Sequence, residues 1–206
     1  MQIASSAPPS SGRHAALAAM LWPQRAGQSA AIWRAIALIA VGAVLLTASA
    51  KFNLPLPLVP MTLQTLVVLL IGAAYGARLG GATVLAYLAA GALGLPVFAG
   101  PAGGLAPLTG PTAGYLAGFV AAAVVVGWFA ERGWDRSVPR LFVAMALGHI
   151  AILALGFGWL AYGLHLGAAK AWSVGVVPFL AGALVKNALG AAMLPTVRRL
   201  ADGRRG

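Results

Sequence analysis

Lys186 is the residue whose position most needs a cause. It sits inside an apolar stretch, Val176–Leu194, and lies about eight residues, or roughly 12 Å, into a helix that starts near Pro178. A lysine buried in a membrane costs at least about 2.5 kcal/mol, and such residues usually face a bundle interior or a cavity. Gly182, Ala183 and Gly190 share its helical face and leave open volume beside the ammonium. The three acids of the chain, Glu131, Asp135 and Asp202, fall in polar segments away from it. Two readings follow from spacing alone. Either an anionic or carbonyl-bearing ligand answers the charge, or backbone carbonyls and snorkelling satisfy it.

Few other residues are arranged to do chemistry. No Gly-x-x-x-x-Gly-Lys-Ser/Thr sequence is present to cradle a nucleotide phosphate, and no His-Glu-x-x-His or Gly-x-Ser-x-Gly motif occurs. With no cysteine there is neither a disulfide nor a thiolate metal site. No carboxylate lies in an apolar stretch to relay protons or sodium. His149 and His165 stand alone on apolar segments and read as packing residues. The expectation is binding without catalysis, with no catalytic residue, cofactor or metal.

A second unusual feature is the segment Gly94–Tyr115, which is uncharged, apolar and rich in Gly and Pro. Exposed loops are ordinarily polar, so this one reads as a cover folded back over a cavity or as a greasy loop at the lipid surface. Irregular backbone at membrane depth is tolerated only where protein or a water-filled cavity covers it. Glycines in such a loop let main-chain N–H groups approach a ligand closely.

The elements that must carry these residues are membrane helices. The 206-residue chain is 61% hydrophobic and 8% charged, with mean hydropathy +0.90, where soluble domains hold about 25% charged residues. Six apolar segments are legible: Ile32–Ala50, Met61–Ala77, Gly80–Leu95, Pro111–Ala130, Leu141–Leu164 and Val176–Leu194. The second and third are marginal against about 30 Å of hydrocarbon. Residues 1–29 read as a mobile cytoplasmic tail, 30–200 as one six-helix transmembrane domain, and 201–206 as a basic cytoplasmic tail.

Net charge is +11, but the basic residues fall at the ends of apolar segments and form no patch for nucleic acid. With the N-terminus in the cytoplasm, Arg13, Arg25, Arg34, Arg78, Arg132, Arg136, Arg140, Arg198, Arg199, Arg204 and Arg205 all lie inside. Only Lys51 and Lys170 lie outside. That asymmetry predicts an inner-membrane protein with both termini cytoplasmic. Trp33 and Trp128 would mark the inner interface, and Trp159 and Trp172 the outer one. Gly72, Gly76 and Gly80, and likewise Gly110, Gly114 and Gly118, are spaced by four as in close helix-packing faces.

Four motifs in order resemble one family. Pro60-Met-Thr-Leu-Gln64-Thr-Leu, Gly91-Ala-Leu-Gly-Leu-Pro-Val-Phe-Ala-Gly100, Gly110-Pro-Thr-Ala-Gly-Tyr115 and Pro178-Phe-Leu-Ala-Gly182-x-x-x-Lys186 are together similar to the BioY family. Those proteins are biotin-binding S components of energy-coupling factor (ECF) transporters. The resemblance covers about residues 32–198. It implies a six-helix S-component bundle in the lipid bilayer and a biotin pocket near the outer face, with a transmembrane T component and ATPase subunits as partners. Lys186 then matches the lysine near the biotin head group, and Tyr115 the tyrosine closing the loop motif. Gly103 and Gly104 match its glycine pair, and Thr62 and Gln64 the polar residues opening the second helix. Small residues on the first helix, Ala37, Ala40 and Ala43, would form the docking face for the T component. The chain departs from the family pattern at Ala183, where an aspartate is common, and some members carry a polar residue where Ala102 stands and an arginine where Leu116 stands. Asn187, beside the lysine, is a candidate substitute. Two classes stay open: a vitamin-binding subunit, for biotin or another small vitamin, and a membrane scaffold without a small ligand.

Overall fold

The computed structural model describes residues 17–18 and 28–203, with side chains to Leu200. Its helices are α1 (Gln28–Lys51), α2 (Gln64–Tyr75), α3 (Ala77–Ala92), α4 (Ala106–Thr109), α5 (Ala113–Ala130), α6 (Val138–Gly158), α7 (Ala168–Gly175) and α8 (Val177–Gly203). A π-helical turn, Trp159–Gly163, extends α6, and a 3₁₀ turn, Trp134–Arg136, precedes it. Two short antiparallel strands, β1 (Asn53–Leu54) and β2 (Met61–Thr62), pair Asn53 with Thr62 and Leu54 with Met61.

Among the described residues, four helices are long and apolar enough to cross a membrane: α1, α5, α6 with its extension, and α8. The expected second and third spans come out shorter. Residues 61–62 are spent on β2, and Gly76 breaks the chain at φ +83° and ψ 174°, so α2 has 12 residues and α3 has 16. At 1.5 Å per residue these reach about 18 and 24 Å. Among the described residues, helix length and composition alone mark four spans.

Most of the expected tail, residues 1–29, lies outside the described residues, as do residues 204–206. Leu17 and Ala18 are helical and buried, Leu17 within the core cluster, and Gln28 and Ser29 already belong to α1.

The core is arranged around α5, which packs most extensively on α6 and then on α2 and α3. Glycine sets these distances. A Cβ on Gly118 would come 2.7 Å from the Ile152 Cα, one on Gly114 would collide with the Leu155 carbonyl, and one on Gly80 would stand 3.0 Å from the Gly72 Cα. Two of the six spaced glycines do other work. Gly76 is the sharp corner of the α2–α3 hairpin and Gly110 ends α4, because each sits where a helix stops.

Both described acidic side chains are committed at the end of the bundle opposite Lys51. The Glu131 carboxylate accepts the Ala77 N–H at 2.9 Å, capping α3 where a helix favours negative charge. Asp135 pairs with Arg198 of α8, both almost wholly buried, tying the α5–α6 connection to the last helix.

Candidate functional site

At the Lys51 end the helices diverge around a cavity of about 290 Å³. That is the lower edge of the usual range for ligand pockets, about 300–1,000 Å³. Its walls are mainly apolar: Phe119 and Leu116 of α5, Ile152 and Leu153 of α6, and Phe179 and Ala183 of α8. The loop 93–112 closes over it. Phe98, Ala102 and Pro107 line the cavity, and Phe98 is buried with its ring edge-on to Tyr87 at 5.6 Å. This apolar loop thus does fold back as a cover, which explains why it carries no charge.

Lys186 borders the cavity from α8. Its Nζ donates to the Thr62 carbonyl at 2.6 Å and to the Thr65 hydroxyl at 3.1 Å. An ammonium has three N–H groups, so one donor remains beyond these two. Backbone and a hydroxyl thus hold the lysine in place at the border of the chamber. The open volume beside it is narrower than the sequence indicated. Only Ala183 borders the cavity, while a Cβ on Gly182 would stand 3.0 Å from the Met61 sulfur and one on Gly190 would collide with the Met145 side chain.

Thr62, Gln64 and Tyr115 also line the cavity, with their polar atoms turned to protein. Gln64 Nε2 donates to the Tyr87 hydroxyl at 2.6 Å, and Tyr87 donates to the Val97 carbonyl at 2.9 Å, so α2, α3 and the cover loop are linked. The Thr62 hydroxyl donates to Gln64 Oε1 at 3.3 Å. The Tyr115 hydroxyl donates to the Gly175 carbonyl at 2.7 Å, leaving its ring, tilted against Phe179, as the surface presented.

Other expected site residues sit behind the wall. Gly103 is packed on the Leu95 and Gly94 carbonyls, and Gly104, at φ +75°, donates its N–H to the Gly91 carbonyl at 2.8 Å. They shape the loop and do not line the chamber. Asn187 is buried with its Oδ1 2.6 Å from His149 Nδ1 and also lies outside the lining. His149, which reads from sequence as a packing residue, does line it. Its signal was its place on α6 opposite the lysine helix, invisible without the fold. His165 is no packing residue either: it is exposed in a loop at φ +53°. Trp159 donates to the Gly110 carbonyl at 2.9 Å and so anchors the cover loop, unlike the exposed Trp33 and Trp172.

The loop is also pinned from outside the expected set. Lys51 Nζ donates to three of its carbonyls, Pro96 at 2.6 Å, Phe98 at 3.0 Å and Gly100 at 2.6 Å. Ala37, Ala40 and Ala43, expected from the resemblance to form a docking face, lie on α1, none of whose residues lines the cavity. Ala40 is exposed there, and Ala37 and Ala43 are half-buried.

Fold and cavity together define an all-helical integral membrane protein enclosing a mostly apolar chamber with a lysine at its edge. The BioY family model matches residues 17–203, and the chain belongs to the BioY family. It is 38% identical over 156 residues to the "Biotin transporter BioY" of Thermotoga maritima, covering 76% of this chain and 90% of that one. It is 37% identical over 153 residues to the "Probable biotin transporter BioY" of Pyrococcus horikoshii, covering 74% and 89%. The S-component for biotin from an ECF-type ABC transporter has the same fold, with TM-score 0.74 at 23% identity over 84% of this chain and 95% of that one.

Proposed function

We propose that the chain is the substrate-binding membrane subunit of a biotin uptake transporter, and that biotin occupies the cavity beneath the loop 93–112. The observation that carries this reading is Lys186. It is fixed by Thr62 and Thr65 with a donor to spare, at the edge of a chamber whose lining holds no acid. A compact ligand with a carbonyl group suits that lysine, and apolar walls suit its rings and chain. Membership of a family whose members are named biotin transporters favours biotin over other small vitamins.

The remainder of the arrangement is part of the same proposal. Six spans are formed if α2 and α3 cross as a short hairpin with the polypeptide on either side. Both termini lie in the cytoplasm, which puts the basic end with Arg78, Arg132 and Arg140 inside. The cavity, at the Lys51 and Lys170 end, then faces outward. Without a nucleotide-binding motif or a carboxylate relay, energy comes from partners, a T component docking on α1 and ATPase subunits behind it. Protein purified in detergent from cells grown with biotin, then denatured and analysed by mass spectrometry, should release biotin in near-stoichiometric amount. Release of a different vitamin would keep the class and change the ligand. An empty chamber that also rejects added biotin would leave the scaffold reading.

A further inference from the structure

The wall of the cavity contains an acceptor that no other residue uses. His149 is 5% exposed and borders the chamber. Its Nδ1 stands 2.6 Å from Asn187 Oδ1, and Asn187 is itself 4% exposed. An amide oxygen only accepts, so Nδ1 carries the proton. The ring's other polar neighbour, the Met145 carbonyl one turn back on α6, is again an acceptor. A ring protonated on both nitrogens would place a second cation beside Lys186 where the lining holds no acid. The imidazole is therefore neutral, and Nε2 keeps a lone pair.

The other polar side chains of the lining are already engaged. The Thr65 hydroxyl accepts from Lys186, the Gln64 amide donates to Tyr87, and the Tyr115 hydroxyl donates to the Gly175 carbonyl. Nε2 borders the chamber, and a ligand that brings an N–H there gains a hydrogen bond.

We propose that His149 Nε2 accepts a hydrogen bond from an N–H of the bound ligand, with Asn187 as the positioning residue that fixes its tautomer. Lys186 gives its remaining N–H to the ligand's oxygen. The pair reads a carbonyl with an N–H beside it, the arrangement of a ureido group, and does so without a carboxylate. This rests on the reading of the cavity as the biotin site and names the side chain that would make it selective.

The test uses full-length protein in detergent, with biotin and its cyclic carbonate analogue, in which both ureido N–H groups are replaced by oxygen. Isothermal titration on wild type should show biotin favoured by about tenfold or more, the scale of one buried hydrogen bond. In His149→Phe that preference should shrink towards unity, with biotin weakened and the analogue little changed. Asn187→Leu should weaken biotin and, in nitrogen-15 spectra, let the proton of His149 redistribute between its two ring nitrogens. Nitrogen-15 spectra of histidine-labelled wild type should show a pyridine-type Nε2 for His149 that shifts on adding biotin. Undiminished preference in His149→Phe, or a protonated Nε2 in the free protein, overturns the assignment. Should His149→Phe not fold, the wild-type spectra still decide. Wild type that binds neither compound instead overturns the biotin reading itself, so the two failures are distinct.

Discussion

Lys186 joins two requirements that usually conflict, a charge in an apolar bundle and a fixed geometry. The Thr62 carbonyl and Thr65 hydroxyl answer part of the charge without neutralising it. Replacing it by methionine keeps the volume and removes the donor. Biotin affinity in Lys186→Met should fall roughly ten- to a hundredfold, corresponding to about 1.5–3 kcal/mol for a charged hydrogen bond. Thermal stability without ligand should change little, since the freed Thr62 carbonyl borders the cavity and water can reach it there. A lysine that is purely structural gives the reverse, a lower melting temperature and unaltered affinity per folded molecule. Ala183→Asp makes the complementary change, giving Lys186 an acid one turn away. Its melting temperature without biotin should rise. The place of the lysine at a cavity was legible in the sequence because a charge in an apolar run is conspicuous. His149 was not, because its function depends on a contact across two helices, with Asn187 38 residues away.

At the scale of elements, the cover over the cavity is held from one side by α1. Lys51, at the last residue of that helix, binds three carbonyls of the loop, and a cation at a helix C-terminus is also favoured by the helix dipole. Lys51→Met should leave the helices intact and loosen the cover. The dissociation rate of biotin, followed by release of radiolabelled ligand, should rise by about tenfold or more if two or more net hydrogen bonds are lost. An unchanged rate would mean that Tyr87, Phe98 and Trp159 hold the loop without it. The elements themselves were unevenly legible. α1, α5, α6 and α8 follow the hydropathy, since each is a long uninterrupted apolar run. α2 and α3 end early because a strand pair and a positive-φ glycine act on backbone geometry, which hydropathy does not sense. The glycine pair at 103 and 104 likewise reads as a ligand contact in sequence, yet its work is to fold the loop back on Gly91 and Leu95.

Across the whole molecule, the two ends have different chemistry. One carries the cavity, its cover, Lys51 and Lys170. The other carries Arg78, Arg132, Arg136 and Arg140 and the buried Asp135–Arg198 pair. Breaking that pair in Asp135→Asn leaves Arg198 buried without its carboxylate and should destabilise the fold by about 3–5 kcal/mol, read as a fall in melting temperature. Biotin affinity of the folded fraction should be unaffected. Coupling belongs to this scale too. On α1, Ala40 faces outward and Ala43 packs against the core, so Ala40→Leu should impair uptake while binding stays near normal. Equal uptake at equal expression would place the docking face elsewhere.

The central claim is that the chamber beneath the loop holds biotin, and isothermal titration of biotin into the purified chain tests it most directly. Wild type should bind one biotin per chain, and Ala183→Phe, which fills the space beside Lys186, should abolish the heat while the protein stays folded. Biotin binding of full strength in Ala183→Phe, or none in wild type, would contradict it.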